Sequence, residues 1–511
     1  MELTRRKVLR IGGLALAAAA TGCATSPKQT STGTTGTGAT GAADAPLVVA
    51  SSAITNSLDP AAALSNVGAT FTAQVYDPLV TFGDDGKLAP ALATAWRSID
   101  DRTIEFTLRE GVTFHRGGAF DAAAVKANID RLLSGDPAFA FRAGQMGTLS
   151  GAEVVDAGTV RITTKEPDPV LLNRLVRLSI TDPAIFKEKP GSVASGTGPF
   201  RVTAYSPAKS IDLEAFPESW RKSETVKKAR VVAIPDPGTL TTALRTGEVD
   251  GAYGLPPSVA AQLASSFTVK PVTAGSCAVL SMIGDVEPKL RDKRVRLALN
   301  LAVDKEEFVK SGLSGYGKVP NGQLLQPGFA GYDPSLEAFP YDPDRAKALL
   351  KEAGAEGLTL NIATTALFKQ QAEITAGYLA KVGITSEVVL QDLSAFISTL
   401  LKKSETPLIY WQTDYFDLRD IAGVSRFGPQ PEGVQKHVDD EEYVKLFAQA
   451  AAELDPAKRE ETIKAMAGRL HDEAGVVFLA WPETVYVHSA KSDLKLNVDG
   501  NVLLSESRKA I

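Results

Sequence analysis

Two cysteines and four histidines in 511 residues are too few, and too scattered, for several familiar chemistries. Cys23 and Cys277 alone cannot make a disulfide framework. His115, His437, His471 and His488 show no metal-type Cys/His spacing. The chain has no His-Glu-x-x-His, no G-x-S-x-G nucleophile elbow and no P-loop. Carboxylate pairs such as Asp84-Asp85 and Asp439-Asp440 fall in turns or at helix starts, where solvation and capping account for them. No catalytic residue, metal ligand or cofactor is therefore expected. No apolar run reaches the roughly 18 residues of a membrane span. The net charge of −5, without a basic face, gives no reason to expect nucleic acid.

What is present reads as an exported soluble protein. Thr4–Arg10 resembles a twin-arginine signal, with Val8 where Phe is commoner. Ile11–Ala20 is an apolar segment of roughly ten residues, too short to span a bilayer. Ala20-Thr21-Gly22-Cys23 resembles a lipobox, which makes residues 1–22 a signal peptide and Cys23 the lipidated mature N-terminus. Its removal takes away four basic and one acidic side chain and moves the charge from −5 to −8. The Thr/Gly/Ala-rich stretch to Ala45 then reads as a flexible tether, residues 23–45. Cys277 is left without an intramolecular partner, and its apolar surroundings (Cys277–Ile283) predict a buried thiol. With 44% hydrophobic and 23% charged residues, a body of this length should form two or three domains.

Tyr76–Leu133 organises the chain. Thr103–Leu108 alternates polar and apolar residues, the pattern of a half-buried strand. Glu110-Gly111 and Arg116-Gly117-Gly118 turn the chain. Asp121 caps a helix carrying Val125, Ile129, Leu132 and Leu133 at helical spacing, with Phe120 placed as a staple and Ser134-Gly135 as its stop. The order of "DPL", "APALATAW", "FTLREGVTFHRGGAF" and a capped helix resembles the extracytoplasmic solute-binding proteins of peptide- and nickel-type ABC importers, family 5.

Later blocks carry the same resemblance. They are Gly196-Thr197-Gly198-Pro199-Phe200, Phe216-Pro217-Glu218-Ser219-Trp220 (with Phe216 in place of an expected Asn), and Glu248-Val249-Asp250. "RDKRVRLALNLAVDKEEF" and "YDPDRAKALLKEAG" follow, with Asp304 and Asp342 as helix caps. Leu358–Ala363, Gln370–Val382 and Ile384–Leu390 then read as β-α-β, which favours a parallel sheet with ligands beyond the carboxyl ends of its strands. Two return strands, Val476–Ala480 and Glu483–His488, are expected near the end.

The residues best suited to a ligand follow the strand Leu408–Trp411. Tyr410, Trp411, Tyr415 and Phe416 interleave with Asp414 and Asp417, which suits a pocket that stacks on a ligand and neutralises a cation. A buried aromatic edge with satisfied Asp caps is the structural alternative. In the peptide-binding branch an Asp three residues after a Trp holds the ligand α-amino group, and Trp411 with Asp414 has that spacing. No Arg stands in Ala363–Gln371 to clamp a peptide carboxylate, which leaves Lys369.

The resemblance implies an α/β periplasmic-binding-protein fold (type II, cluster C), with two lobes, a hinge and an extra small α/β domain. Its expected boundaries are 46–80, 195–272 and 483–511 for a discontinuous domain I, 81–194 for domain II and 273–482 for domain III. It further implies a monomeric, non-enzymatic lipoprotein on the outer face of the cytoplasmic membrane. Its partners would be a small peptide or peptide-like amine, ABC permease subunits and their ATPase. A binding protein for a metal chelate, opine or oligosaccharide, a surface receptor without transport, and an exported hydrolase remain as alternatives.

Overall fold

The structure is a computed structural model. It describes residues 45–62, 69–188, 191–273, 275–401, 404–413 and 440–509. β1 (Leu47–Ser51) is apolar and almost wholly buried, as a strand covered on both faces must be. β2 (Val80–Phe82) and β3 (Leu88–Pro90) form a hairpin. β4 (Ala93–Ser98), β5 (Thr103–Leu108), β6 (Leu149–Asp156) and β7 (Thr159–Thr164) build an antiparallel sheet in the order β4-β5-β7-β6. The helix Ala122–Leu132 packs on it through Val125, Ile129 and Leu132, which share a core with Phe106, Phe114 and Ile162. Asp121 caps that helix by accepting from Ala124 N at 2.9 Å. A short helix, Leu171–Leu175, follows β7, and turns such as Leu178 N to Leu175 O continue it.

The other strands are β8 (Phe200–Ser206), β9 (Ser210–Ala215), β10 (Lys228–Ala233), β11 (Gly251–Tyr253), β12 (Thr268–Thr273), β13 (Ala278–Met282), β14 (Gly317–Lys318), β15 (Ile362–Thr365), β16 (Val388–Gln391), β17 (Leu408–Gln412) and β18 (Val477–His488). With β1 they form, among the described residues, one sheet of 12 strands. Its path is β16-β15-β17-β13-β18-β11-β1-β10-β9-β8, with β12 and β14 pairing to β18 off that path. In one half β1 runs parallel to β10 and β11; in the other β15 runs parallel to β16 and β17. Asp292, Asp304 and Asp342 cap the helices Lys293–Ala302, Lys305–Gly312 and Pro343–Glu352 that cover the second half.

Strand β18 joins the halves. Val477, Phe478 and Ala480 pair with β13, and the stretch from Glu483 to His488 pairs with β12, its last three residues also with β11. The sequence suggested two strands broken at Trp481-Pro482, whereas the chain runs straight through. Proline lacks a ladder donor. Pro482 falls where the β13 pairing has ended and the β12 pairing has not begun, opposite only the two-residue β14, so the missing N–H disrupts little.

Candidate functional site

Open α/β sheets bind ligands beyond the carboxyl ends of their parallel strands. In the first half these ends are Ser51 of β1, Ala233 of β10 and Tyr253 of β11. In the second they are Thr365 of β15, Gln391 of β16 and Gln412 of β17. Register along β18 fixes how the two sets lie. Tyr253 is opposite Tyr486, while Gln412 is opposite Ala278, which is itself opposite Ala480. The two rims therefore aim at the same short stretch of β18, Trp481–Val485, from opposite directions. A crevice between them has a floor made of the crossing strand, where Trp481 is anchored by its indole N–H on Leu324 O at 3.2 Å.

Of the predicted site residues, Tyr410 and Trp411 lie on β17. Tyr410 and Trp411 point to opposite faces, as adjacent strand residues must. Tyr410 is fully buried, its ring 5.8 Å from that of Phe368, and burial pushes its phenol above the usual range. Trp411 is buried in the other core and donates its indole N–H to Ser281 Oγ at 2.9 Å. Lys369 opens the helix after β15, is exposed, and lies 3.5 Å from Glu373 one turn on. Asp414, Tyr415, Phe416 and Asp417 lie outside the described residues, as do His437 and Cys23.

The chain leading to Asp414 is rigidly mounted up to Thr413. Thr413 N donates to Cys277 O at 3.0 Å, and Cys277 N donates to Thr413 Oγ1 at 2.7 Å. Ser276 Oγ donates to Thr413 O at 2.7 Å, and Gln326 Nε2 donates to Ser276 O at 2.7 Å. The Cys277 thiol beside this mount is buried and free, and burial pushes its pKa up, as suits a packing residue.

Three rim positions escaped the sequence reading. Tyr253 ends β11 with its ring stacked 6.3 Å from Tyr486. Ser52 is exposed just past β1, and Leu367 just past β15 is 76% exposed. Their only signal is topological: each lies at or just past the carboxyl end of a parallel strand, and the β1–β11 pairing spans some 200 residues.

The four-stranded unit is tied to the first half through the backbone of Gly196-Thr197-Gly198. His115 Nε2 lies 3.0 Å from Gly198 O, and Gly196 N donates to His115 Nδ1 at 3.3 Å. Phe216 packs edge-on to the imidazole at 4.9 Å. Burial holds the His115 pKa below its ordinary value. Nearby, Asp77 accepts from Thr197 Oγ1, Trp220 Nε1 and Arg221 Nε.

Two α/β halves whose strand-end rims face one another across a shared strand define the type II periplasmic-binding-protein fold. The chain belongs to the family described as bacterial extracellular solute-binding proteins, family 5, whose middle region matches residues 87–428. It is 32% identical over 360 residues to a glutathione-binding protein of Pectobacterium atrosepticum, covering 68% of this chain and 69% of that one. Among solved structures it resembles the Brucella suis protein NikA in complex with Fe(III)-EDTA (27% identity, TM-score 0.82, covering 91% of this chain and 100% of that one). It also resembles the Helicobacter pylori protein DppA in complex with the peptide STSA (25% identity, TM-score 0.76, covering 91% and 98%). Members of this family bind small solutes outside the cytoplasm and work with the permease and ATPase subunits of ABC importers. No helix among the described residues is long and apolar enough to cross a membrane.

Proposed function

We propose that this solute-binding protein captures a peptide or peptide-like amine between two lobes and delivers it to an ABC permease. The observation that carries the reading is the convergence of two strand-end rims on Trp481–Val485, which gives a ligand contacts from both halves at once. The lobes are domain I (46–80, 195–272 and 483–511) with domain II (81–194) attached, and domain III (273–482). The hinge is the pair of crossings near Val272–Ala274 and Trp481–Glu483. Cys23 carries the lipid anchor after twin-arginine export, and the tether lets the body reach the permease. The glutathione-binding relative supports a small peptide-like ligand. A metal chelate is the second reading, favoured by the likeness to the Fe(III)-EDTA complex.

In this reading Asp414 holds the ligand ammonium and Trp411, Tyr415 and Phe416 shield the pair, with Asp417 and Lys369 completing the rim and Tyr410, buried in the core behind it, supporting β17. Removing one partner of a buried charge pair typically costs 2–5 kcal/mol. Asp414→Asn should thus weaken binding by about 30-fold or more. Calorimetry with reduced glutathione and with the peptide Ser-Thr-Ser-Ala tests it. Binding of either probe with unchanged affinity in Asp414→Asn removes that residue from the site.

A further inference from the structure

The start of β1 has a strand on one side only. Leu47 and Val48 pair with Ala229 and Arg230 of β10, whereas β11 begins with Gly251 opposite Val49. Backbone groups beside an absent strand must find other partners. Asp250, one residue before β11, supplies them. Its N–H donates to Val48 O at 2.8 Å, and its Oδ2 accepts from Val48 N at 2.8 Å. One residue thus gives Val48 both bonds that a strand would give.

The Pro46 carbonyl on the same side is reached by the other end of the chain. β19 (Ser492–Asp493) pairs antiparallel with β20 (Arg508–Lys509), Ser492 opposite Lys509. Lys509, the last described residue, donates through Nζ to Pro46 O and to Asp250 Oδ2, both at 2.8 Å. The pair with Asp250 is partly shielded from water, with side chains 31% and 11% exposed, which strengthens it over a surface pair.

The groups around the pair are themselves held. Asp250 O accepts from Ser489 N at 3.0 Å and from Ser492 Oγ at 2.7 Å. Ser507, two residues before Lys509, is fully buried. Its carbonyl accepts from Thr225 Oγ1 at 2.7 Å, and its Oγ accepts from Lys495 N at 3.1 Å. Lys509 therefore extends from a fixed base.

This junction and the candidate rim lie at opposite ends of one short strand. Four steps of about 3.3 Å separate Leu47 from Ser51, or about 13 Å. Ser51 pairs in turn with Tyr253, so fraying that began at Leu47 would have little chain to cross before the rim.

We infer that Lys509 closes a clasp at the entry of β1, so that movement of the segment ahead of Pro46 is not passed into the strand. The inference goes beyond the ligand reading and does not depend on it. It gives the last residues of the chain a part in the N-terminal junction, 463 positions away.

Hydrogen exchange of the full chain, resolved to single amides, tests the clasp with wild type, Lys509→Met and a chain ending at Arg508. Lys509→Met keeps most of the stem and deletes the ammonium. Loss of hydrogen bonds to a charged group should speed exchange at Val48 about tenfold or more. Exchange along β17 should stay as in wild type, and the melting temperature should change little. The chain ending at Arg508 should behave as Lys509→Met does; where the two differ, Lys509→Met decides, because it leaves the chain end in place. Unchanged exchange at Val48 would overturn the clasp. So would faster exchange spread evenly over Val48 and β17 with a lower melting temperature, since Lys509 would then support the whole body rather than one junction.

Discussion

Trp411 donates its indole N–H to Ser281 Oγ at 2.9 Å, across the paired strands β13 and β17. Both residues are buried, so the tryptophan nearest the candidate ligand anchor also belongs to the core. Trp411→Ala should cost about 3–5 kcal/mol through the cavity it leaves. Trp411→Phe keeps most of the apolar volume but orphans the Ser281 hydroxyl, at about 1–3 kcal/mol. Denaturant unfolding measures both, and a Trp411→Phe variant as stable as wild type would show that the bond contributes nothing.

Gly196 and Gly198 are required by close backbone approach. A Cβ added at Gly196 would lie 2.1 Å from Val75 O, and one at Gly198 would lie 2.4 Å from Gln74 O. Main-chain atoms cannot swing aside, so each Ala variant should cost at least the roughly 1–3 kcal/mol typical of overpacking. Gly144 lies in the helix Ala140–Gln145 with nothing within 4 Å of its added Cβ, and Gly144→Ala should stabilise by about 0.5–1 kcal/mol. Thermal melts of the three variants in the reverse order would contradict this.

His115 should make stability fall on acidification. Its partners assign the tautomer: Nδ1 accepts from Gly196 N, so Nε2 carries the proton and donates to Gly198 O. A second proton would set Nδ1–H against the Gly196 N–H. Burial lowers the folded pKa, and the hydrogen bond to Gly198 O and the charge of Asp77 push the other way. As pH falls through about 6.5 the unfolded chain takes a proton that the folded one refuses. The contribution is thus fully present above that pH and is lost below it, down to the folded pKa. Melting temperatures from pH 7.5 to 5 should fall less steeply for His115→Gln than for wild type, although the variant starts lower. Parallel curves would remove His115 from the pH response.

Local elements were legible because their causes are local. Asp121 caps its helix through Ala124 N, Gly111 and Gly117 take the positive φ their turns need, and the β15–helix–β16 unit is parallel as its pattern implied. β18 was read as two strands because a proline inside a strand ordinarily breaks it, and only the pairing with β14 shows why Pro482 does no harm. The candidate site was half legible. β17 announced its end by composition, while Tyr253 and Leu367 stand at strand ends set by pairings between segments far apart in sequence, which no local pattern encodes. Phe216, which stands where the family pattern led us to expect Asn, packs on His115.

Mass spectrometry of the small molecules released on denaturing protein purified without unfolding steps tests the central claim most directly. A crevice contacting its ligand from both lobes should retain it, and the reading predicts a peptide or a peptide-like molecule with a free amine, close to one per chain. Recovery instead of a metal chelate or an amine-free sugar at that stoichiometry would contradict it.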